Sequence, residues 1–188
     1  MEAVADEDST QIRDCFDLDL STEPKSQTKL DRAKFVEDDD NGQEKAFCIT
    51  FIYGFNTLDE RKSLWTDVLS LKLPMKPWIL LHDFNDVFNL EDKTRGNPIQ
   101  YSDLLDSSQC LAQAHVETLN KTSSTFTWTN YQDSFSRIYS KIDHAFVNDD
   151  WGNLFPNSTA HFGWEVISYH YSCVINAKAA VNIGVKPF

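Results

Sequence analysis

From Ala46 onward the chain alternates between strongly apolar runs and segments with helical spacing. AFCITFIYG (46–54) is rich in β-formers, closed by Gly54 and long enough for a core strand. TLDERKSLWTDVLSL follows with a helical pattern. Thr57 and Glu60 have capping-box spacing, and Leu58, Leu64, Trp65, Val68, Leu69 and Leu71 supply an apolar face. LPMKP breaks that helix, and WILLHDF is the next strand. A Gly-Asn-Pro loop at 96–98 precedes a second helix near residues 100–114. Short β runs follow at HVETL, STFTWTN, SKIDHAFV, TAHFGWEVI and SCVINA, and the Asp149-Asp150-Trp151 step predicts a short helix. Strand, helix, strand, helix and then several strands predict an α/β (α+β) fold with mixed sheets and helices covering the sheet faces.

Residues 1–45 have a different texture. They show little apolar periodicity and end in the charge run VEDDDNGQEK, so they predict a flexible acidic head, with an acidic interaction tail as the functional alternative. Within them, QTKLDRAKFV is compatible with a short helix. The predicted organisation is therefore a head over 1–45 and a domain over 46–188. The head holds 14 acidic and 6 basic residues, which is two thirds of the chain's net charge of −12. A protein that grips nucleic acid through its phosphates normally presents a basic surface, so this balance disfavours phosphate contacts. Cys15, Cys48, Cys110 and Cys173 are scattered without CxxC spacing, which suggests neither a zinc site nor a disulfide scaffold. No apolar run reaches the length of a membrane helix, and the N-terminus lacks a signal-peptide core. The expectation is an intracellular chain, nuclear or cytoplasmic, neither secreted nor membrane-bound.

Polar residues cluster where the predicted strands end. Tyr53 and Asn56 follow the first strand, Asp83 and Asn85 the second; Asp143 interrupts SKIDHAFV, and His170 sits in ISYHYS. Each has a plain structural explanation: a core-edge aromatic, a helix-entry residue, a pair of turn formers. An aspartate inside an apolar strand demands more, because a buried carboxylate needs partners. A histidine is one such partner, and the pair would make a general base.

Taken together, FIYGFNTLDERKSLWTDV, WILLHDFND, FTWTN, SRIYSKIDHAFVNDDW and ISYHYS resemble the endonuclease domain of plant LINE-type (non-LTR) retrotransposons. That domain belongs to the endonuclease/exonuclease/phosphatase superfamily, which includes the apurinic/apyrimidinic endonucleases. The resemblance spans roughly residues 46–176 in order. It implies the C-terminal part of a four-layer α/β sandwich, DNA as substrate and Mg²⁺ as cofactor. By the same resemblance Tyr53 and Asn56 lie beside the scissile phosphate, Asp83 and Asn85 orient the attacking water, and Asp143 pairs with the catalytic His170.

Three departures qualify that expectation. The family's glycine before Asp-Phe-Asn is His82 here, and an imidazole crowds the site floor unless it points into solvent. The family's metal-associated aspartate before the histidine is Tyr169. The family's N-terminal half, with its metal-binding glutamate, has no counterpart in residues 1–45; Glu23 sits in a proline-broken polar stretch. A truncated, catalytically degenerate domain is therefore expected, its loss of partner strands leaving open edges. The alternatives are an active Mg²⁺-dependent nicking enzyme that recruits another carboxylate, Asp86 or Glu165, and a non-catalytic interaction module.

Overall fold

The computed structural model describes residues 10–13, 29–38, 44–71, 76–122, 125–163 and 172–177. In chain order the elements are β1 (Thr10–Arg13), β2 (Lys29–Asp38), β3 (Glu44–Tyr53), α1 (Leu58–Ser70), β4 (Trp78–Asp83) and β5 (Lys93–Thr94). There follow α2 (Leu105–Gln113), β6 (Val116–Thr118), β7 (Trp128–Thr129), β8 (Tyr139–Ser140), β9 (Asp143–Asn148), α3 (Asp149–Leu154), β10 (Thr159–Gly163) and β11 (Ser172–Ala177).

Sheet order follows from which strands can bury both faces. The central sheet runs β2-β3-β4-β9-β6. β3 and β4 are parallel, which requires a crossover, and α1 supplies it. The other three pairings in this sheet are antiparallel. Alternation then divides the side chains. Phe47, Ile49, Phe51, Ile79, Leu81 and Val147 face a second sheet, β1-β11-β10, and pack with Phe162 and Ile175 from it. Cys48, Ile52, Trp78, Leu80 and Phe146 face the opposite way, against Leu64, Trp65 and Val68 of α1 and Cys110 of α2. Burial on both faces explains why AFCITFIY and WILL read as continuous apolar runs rather than alternating ones. Each such side chain contributes about 1.5–3 kcal/mol on burial.

The architecture is thus a mixed α+β sandwich of helices, five-stranded sheet and second sheet. α3 joins the inter-sheet core: Trp151 and Phe155 each meet Phe47 edge-on, with ring centroids 5.7 Å apart. A small third sheet, β5-β8-β7, lies beside it. No helix among the described residues is long and apolar enough to cross a membrane.

Two expectations are revised here. QTKLDRAKFV contains strand, not helix. β2 pairs with β3 over its whole length, from Lys29 opposite Tyr53 to Asp38 opposite Glu44, and that ladder overrides a weak local helical spacing. β1 likewise pairs with β11. The described parts of the acidic head are therefore strands of the two main sheets rather than a flexible appendage, because β3 and β11 offer them backbone partners. β2 also lies along the edge of β3 that was expected to be open. The remainder of 1–43 lies outside the described residues. On α1, Leu58 is exposed, and the buried positions are Arg61, Leu64, Trp65 and Val68.

Candidate active site

The ends of β3 and β4 and the start of β9 fall on one row of the central sheet. Tyr53 is the register partner of Asp83, and Asp83 is the partner of Asp143. Register partners project to the same face, so these three side chains stand side by side at the end of the sheet. Asp83 and Asp143 are both buried, while Tyr53 is half-buried. Two carboxylates directly opposite each other repel, which creates an electrostatic demand for positive charge or donors at this spot.

The backbone around Asp83 is fixed on both sides. Gly54 N–H donates to the Asp83 carbonyl at 2.7 Å, and Phe84 N–H donates to the Ile142 carbonyl at 3.0 Å. A Cβ on residue 54 would stand 2.0 Å from the Phe84 carbonyl oxygen, so only glycine lets β3 end this close to β4. Asn85 takes a left-handed φ of 49° and closes a turn on Asp83. Its backbone N–H donates to Asp83 Oδ1 at 2.8 Å, and its side-chain Nδ2 donates to Asp83 Oδ2 at 3.3 Å and to the Gly54 carbonyl at 3.1 Å. The turn-forming reading of Asp83 and Asn85 is thus geometrically true, and the same turn holds the carboxylate in one orientation. Thr127, fully buried, anchors the third strand: its Oγ1 accepts from the N–H groups of Ile142 and Asp143 at 3.1 and 3.0 Å.

His82 does not simply point into solvent. Its φ is 106°, a value suited to glycine, and its half-buried ring lies against Tyr53 with centroids 4.5 Å apart. The glycine conformation is kept and the imidazole is accommodated by stacking on Tyr53.

Behind this row, on the helix side of the sheet, lies a second polar cluster. Arg61 forms an ion pair with Asp86 at 3.3 Å and donates through Nη1 to the carbonyls of Phe55 and Asn56. Burial pushes the Asp86 carboxyl up to about 6, against the opposing pull of Arg61. His144 Nε2–H donates to the carbonyls of Lys141 and Asp86 at 3.0 and 3.2 Å, and its ring sits among Phe84, Phe88 and Phe146. Complete burial, reinforced by the Lys141 charge, lowers its pKa to about 3. Burial also depresses the Lys141 ammonium.

Of the residues singled out from sequence, the fold brings Tyr53, Asp83, Asn85 and Asp143 together. Asn56 is exposed in the loop after β3, where its carbonyl is held by Arg61. His170, with Tyr169 and Glu165, lies outside the described residues. Asp86 is not available to recruit as an extra carboxylate in the row, because it is buried against Arg61 on the helix side. Sequence reasoning missed Arg61, Thr127 and His144. The available signal for Arg61 was its helical spacing with Leu64, Trp65 and Val68, which puts a cation on the buried face.

The strand-end row offers carboxylates that accept from a water and phenol and amide groups that donate to a phosphate oxygen. A magnesium ion fits it less well. Among the described residues no group of three or more His, Cys, Asp or Glu side chains converges to hold a metal. Both oxygens of Asp83 already accept from Asn85.

Neither a family model nor a curated protein matches this sequence. Solved structures share its fold. One is the endonuclease domain of TRAS1, a telomere-specific non-LTR retrotransposon. The two are 13% identical with a TM-score of 0.51, over 81% of this chain and 70% of that one. Another is the 3′ phosphatase NExo from Neisseria bound to product DNA hairpin, 13% identical with a TM-score of 0.55, over 93% of this chain and 80% of that one. At such identities the likeness establishes the fold: this chain has an endonuclease/exonuclease/phosphatase-type fold, matched in part.

Proposed function

We propose that this chain carries the C-terminal part of an endonuclease-like domain from a plant LINE-type retrotransposon, with its phosphodiester-cleaving site retained in outline and degenerate in function. The observation that carries this reading is the register row Tyr53–Asp83–Asp143, with Asn85 locked onto Asp83, at the strand ends of an endonuclease/exonuclease/phosphatase-type fold. In this reading Asp83 and Asn85 would orient a water, Tyr53 and Asn56 would face the scissile phosphate, and Asp143 would pair with His170. DNA is the polymer such a site is built to hold. Magnesium would neutralise the phosphate in chemistry of this kind, yet the described residues supply no set of ligands for it. Degeneracy follows from that gap and from Tyr169 where the resembled family has a charged residue. The chain's charge of −12 further weakens any grip on a phosphate backbone.

The test is nicking of supercoiled plasmid in Mg²⁺ and in Mn²⁺, by protein shown folded by circular dichroism, beside Asp83→Asn and His170→Ala. The expected result is no nicking, with weak duplex binding at low salt. Nicking that disappears in both variants would replace degeneracy with an active, rearranged site. Absence of both nicking and low-salt binding would remove the nucleic-acid reading and leave an interaction module.

A further inference from the structure

We propose that His82 is a positioning residue for Tyr53: it holds the phenol as a one-way hydrogen-bond donor aimed at a phosphodiester oxygen. The phosphodiester half of this statement rests on the function proposed above; the His82–Tyr53 half stands on geometry alone.

Three observations meet at His82. First, the residue occupies φ 106°, where side chains other than glycine are strained, and such strain persists where the surroundings impose it. Second, the Asp83 backbone N–H donates to Nδ1 at 2.7 Å. That bond needs the Nδ1 lone pair, so the neutral ring carries its proton on Nε2. Third, Nε2 lies 3.3 Å from the Tyr53 hydroxyl, with the rings tilted 42° at 4.5 Å. Since Nε2–H is the donor, Tyr53 Oη is the acceptor in this pair, and the phenolic proton is directed to a different acceptor. Tyr53 belongs to the row that includes Asp83 and Asp143, so a phosphate held there is the acceptor the geometry favours.

Strand alternation makes the arrangement distinctive. His82 is the register partner of both Ile52 and His144, whose side chains are buried on the helix side. The left-handed backbone takes His82 out of that sequence and lays its ring on Tyr53. A glycine at this position would adopt the same backbone without strain and leave Tyr53 without this donor.

Three variants test the proposal: His82→Gly, His82→Asn (which also tolerates positive φ) and Tyr53→Phe. Long-range ¹H–¹⁵N spectra of the imidazoles, with the His82 signal assigned by its absence from His82→Gly, should show the Nε2-protonated neutral ring. The Nε2 resonance should move in Tyr53→Phe. A ring protonated on Nδ1, or an Nε2 signal indifferent to Tyr53→Phe, would overturn the pairing. Relief of strain should raise the Tm of His82→Gly by about 2–4 °C, whereas a fall would contradict the strain argument. Binding of a short DNA duplex, read by fluorescence anisotropy at low salt, should weaken about three- to tenfold in His82→Gly and in Tyr53→Phe. The double variant should be no worse than either single one. If the imidazole signature holds while both variants bind duplex as the wild type does, the pairing stands and the phosphate-site reading falls.

Discussion

Two polar clusters sit back to back at the same strand ends, and they are built from nearly the same residue types. On the helix side, Asp86, Arg61, His144 and Lys141 are buried, tied to backbone carbonyls and walled by Phe84, Phe88 and Phe146. On the other side, Asp83, Asp143, Asn85, Tyr53 and His82 keep three half-buried members and two left-handed backbone positions. Burial dominates the first cluster, holding His144 neutral and raising Asp86 to about 6. Orientation dominates the second, where Asn85 fixes Asp83 and His82 meets Tyr53. A carboxylate beside an imidazole is therefore not a site in itself. What separates scaffold from candidate chemistry is whether the polar atoms are consumed by the fold or held facing a position something else can reach.

The sharpest way to break this contrast is Asp86→Ala. It leaves the Arg61 guanidinium buried without its counter-charge, and urea denaturation should show a loss of about 3–5 kcal/mol. Replacing both partners with leucine should recover most of that loss. Asp83→Asn probes the opposite cluster and should stay within about 1 kcal/mol of the wild type, because the amide oxygen still accepts from Asn85 N–H and a repulsion with Asp143 is removed. A loss as large as that of Asp86→Ala would erase the distinction between the clusters.

The smallest effect is on pH dependence. The folded value of His144, about 3, lies below the ordinary 6.5. As pH falls through 6.5 the unfolded chain binds a proton that the folded chain refuses, and stability is lost. Asp86 acts in the opposite sense. Its folded value of about 6 lies above 3.8, so the folded chain binds a proton first and stability is regained as pH falls through 6 towards 3.8. At pH 5 the balance is a net loss of less than about 1 kcal/mol relative to pH 7. His144→Gln keeps a donor without titrating, so its urea midpoint should be higher at pH 5 than at pH 7.

Much of the fold was legible because its core strands and first helix carry strong local signals. AFCITFIY and WILL were strands, and Thr57 does cap α1 by accepting from Glu60 N–H. β2 was illegible because KLDRAKFVED owes its conformation to the β3 ladder, a partner no local window contains. In the site, Tyr53, Asp83, Asn85 and Asp143 could be named in advance since each ends or interrupts an apolar run. Their side-by-side register could not, because it depends on β9 pairing with β4 across a long insertion. Thr127 and His144 escaped for the opposite reason: their roles are hydrogen bonds to backbone, which leave no mark on residue type. The φ of His82 was foreshadowed only by the glycine of the resembled family.

The row that joins Tyr53, Asp83 and Asp143 also bears on the order of folding. The β2–β3 pairing is local, and α1 can form early beside it. The three site residues, by contrast, come from distant parts of the chain, and the row exists only after β4 has docked on β3 and β9 has found β4. Each docking closes a long loop, an entropic cost met before its contacts give anything back. Ribosomes therefore release the β3 end well before its partner in β9 has been synthesised, and the two carboxylates first face each other at the close of folding, when the rest of the sheet is already in place to hold them there.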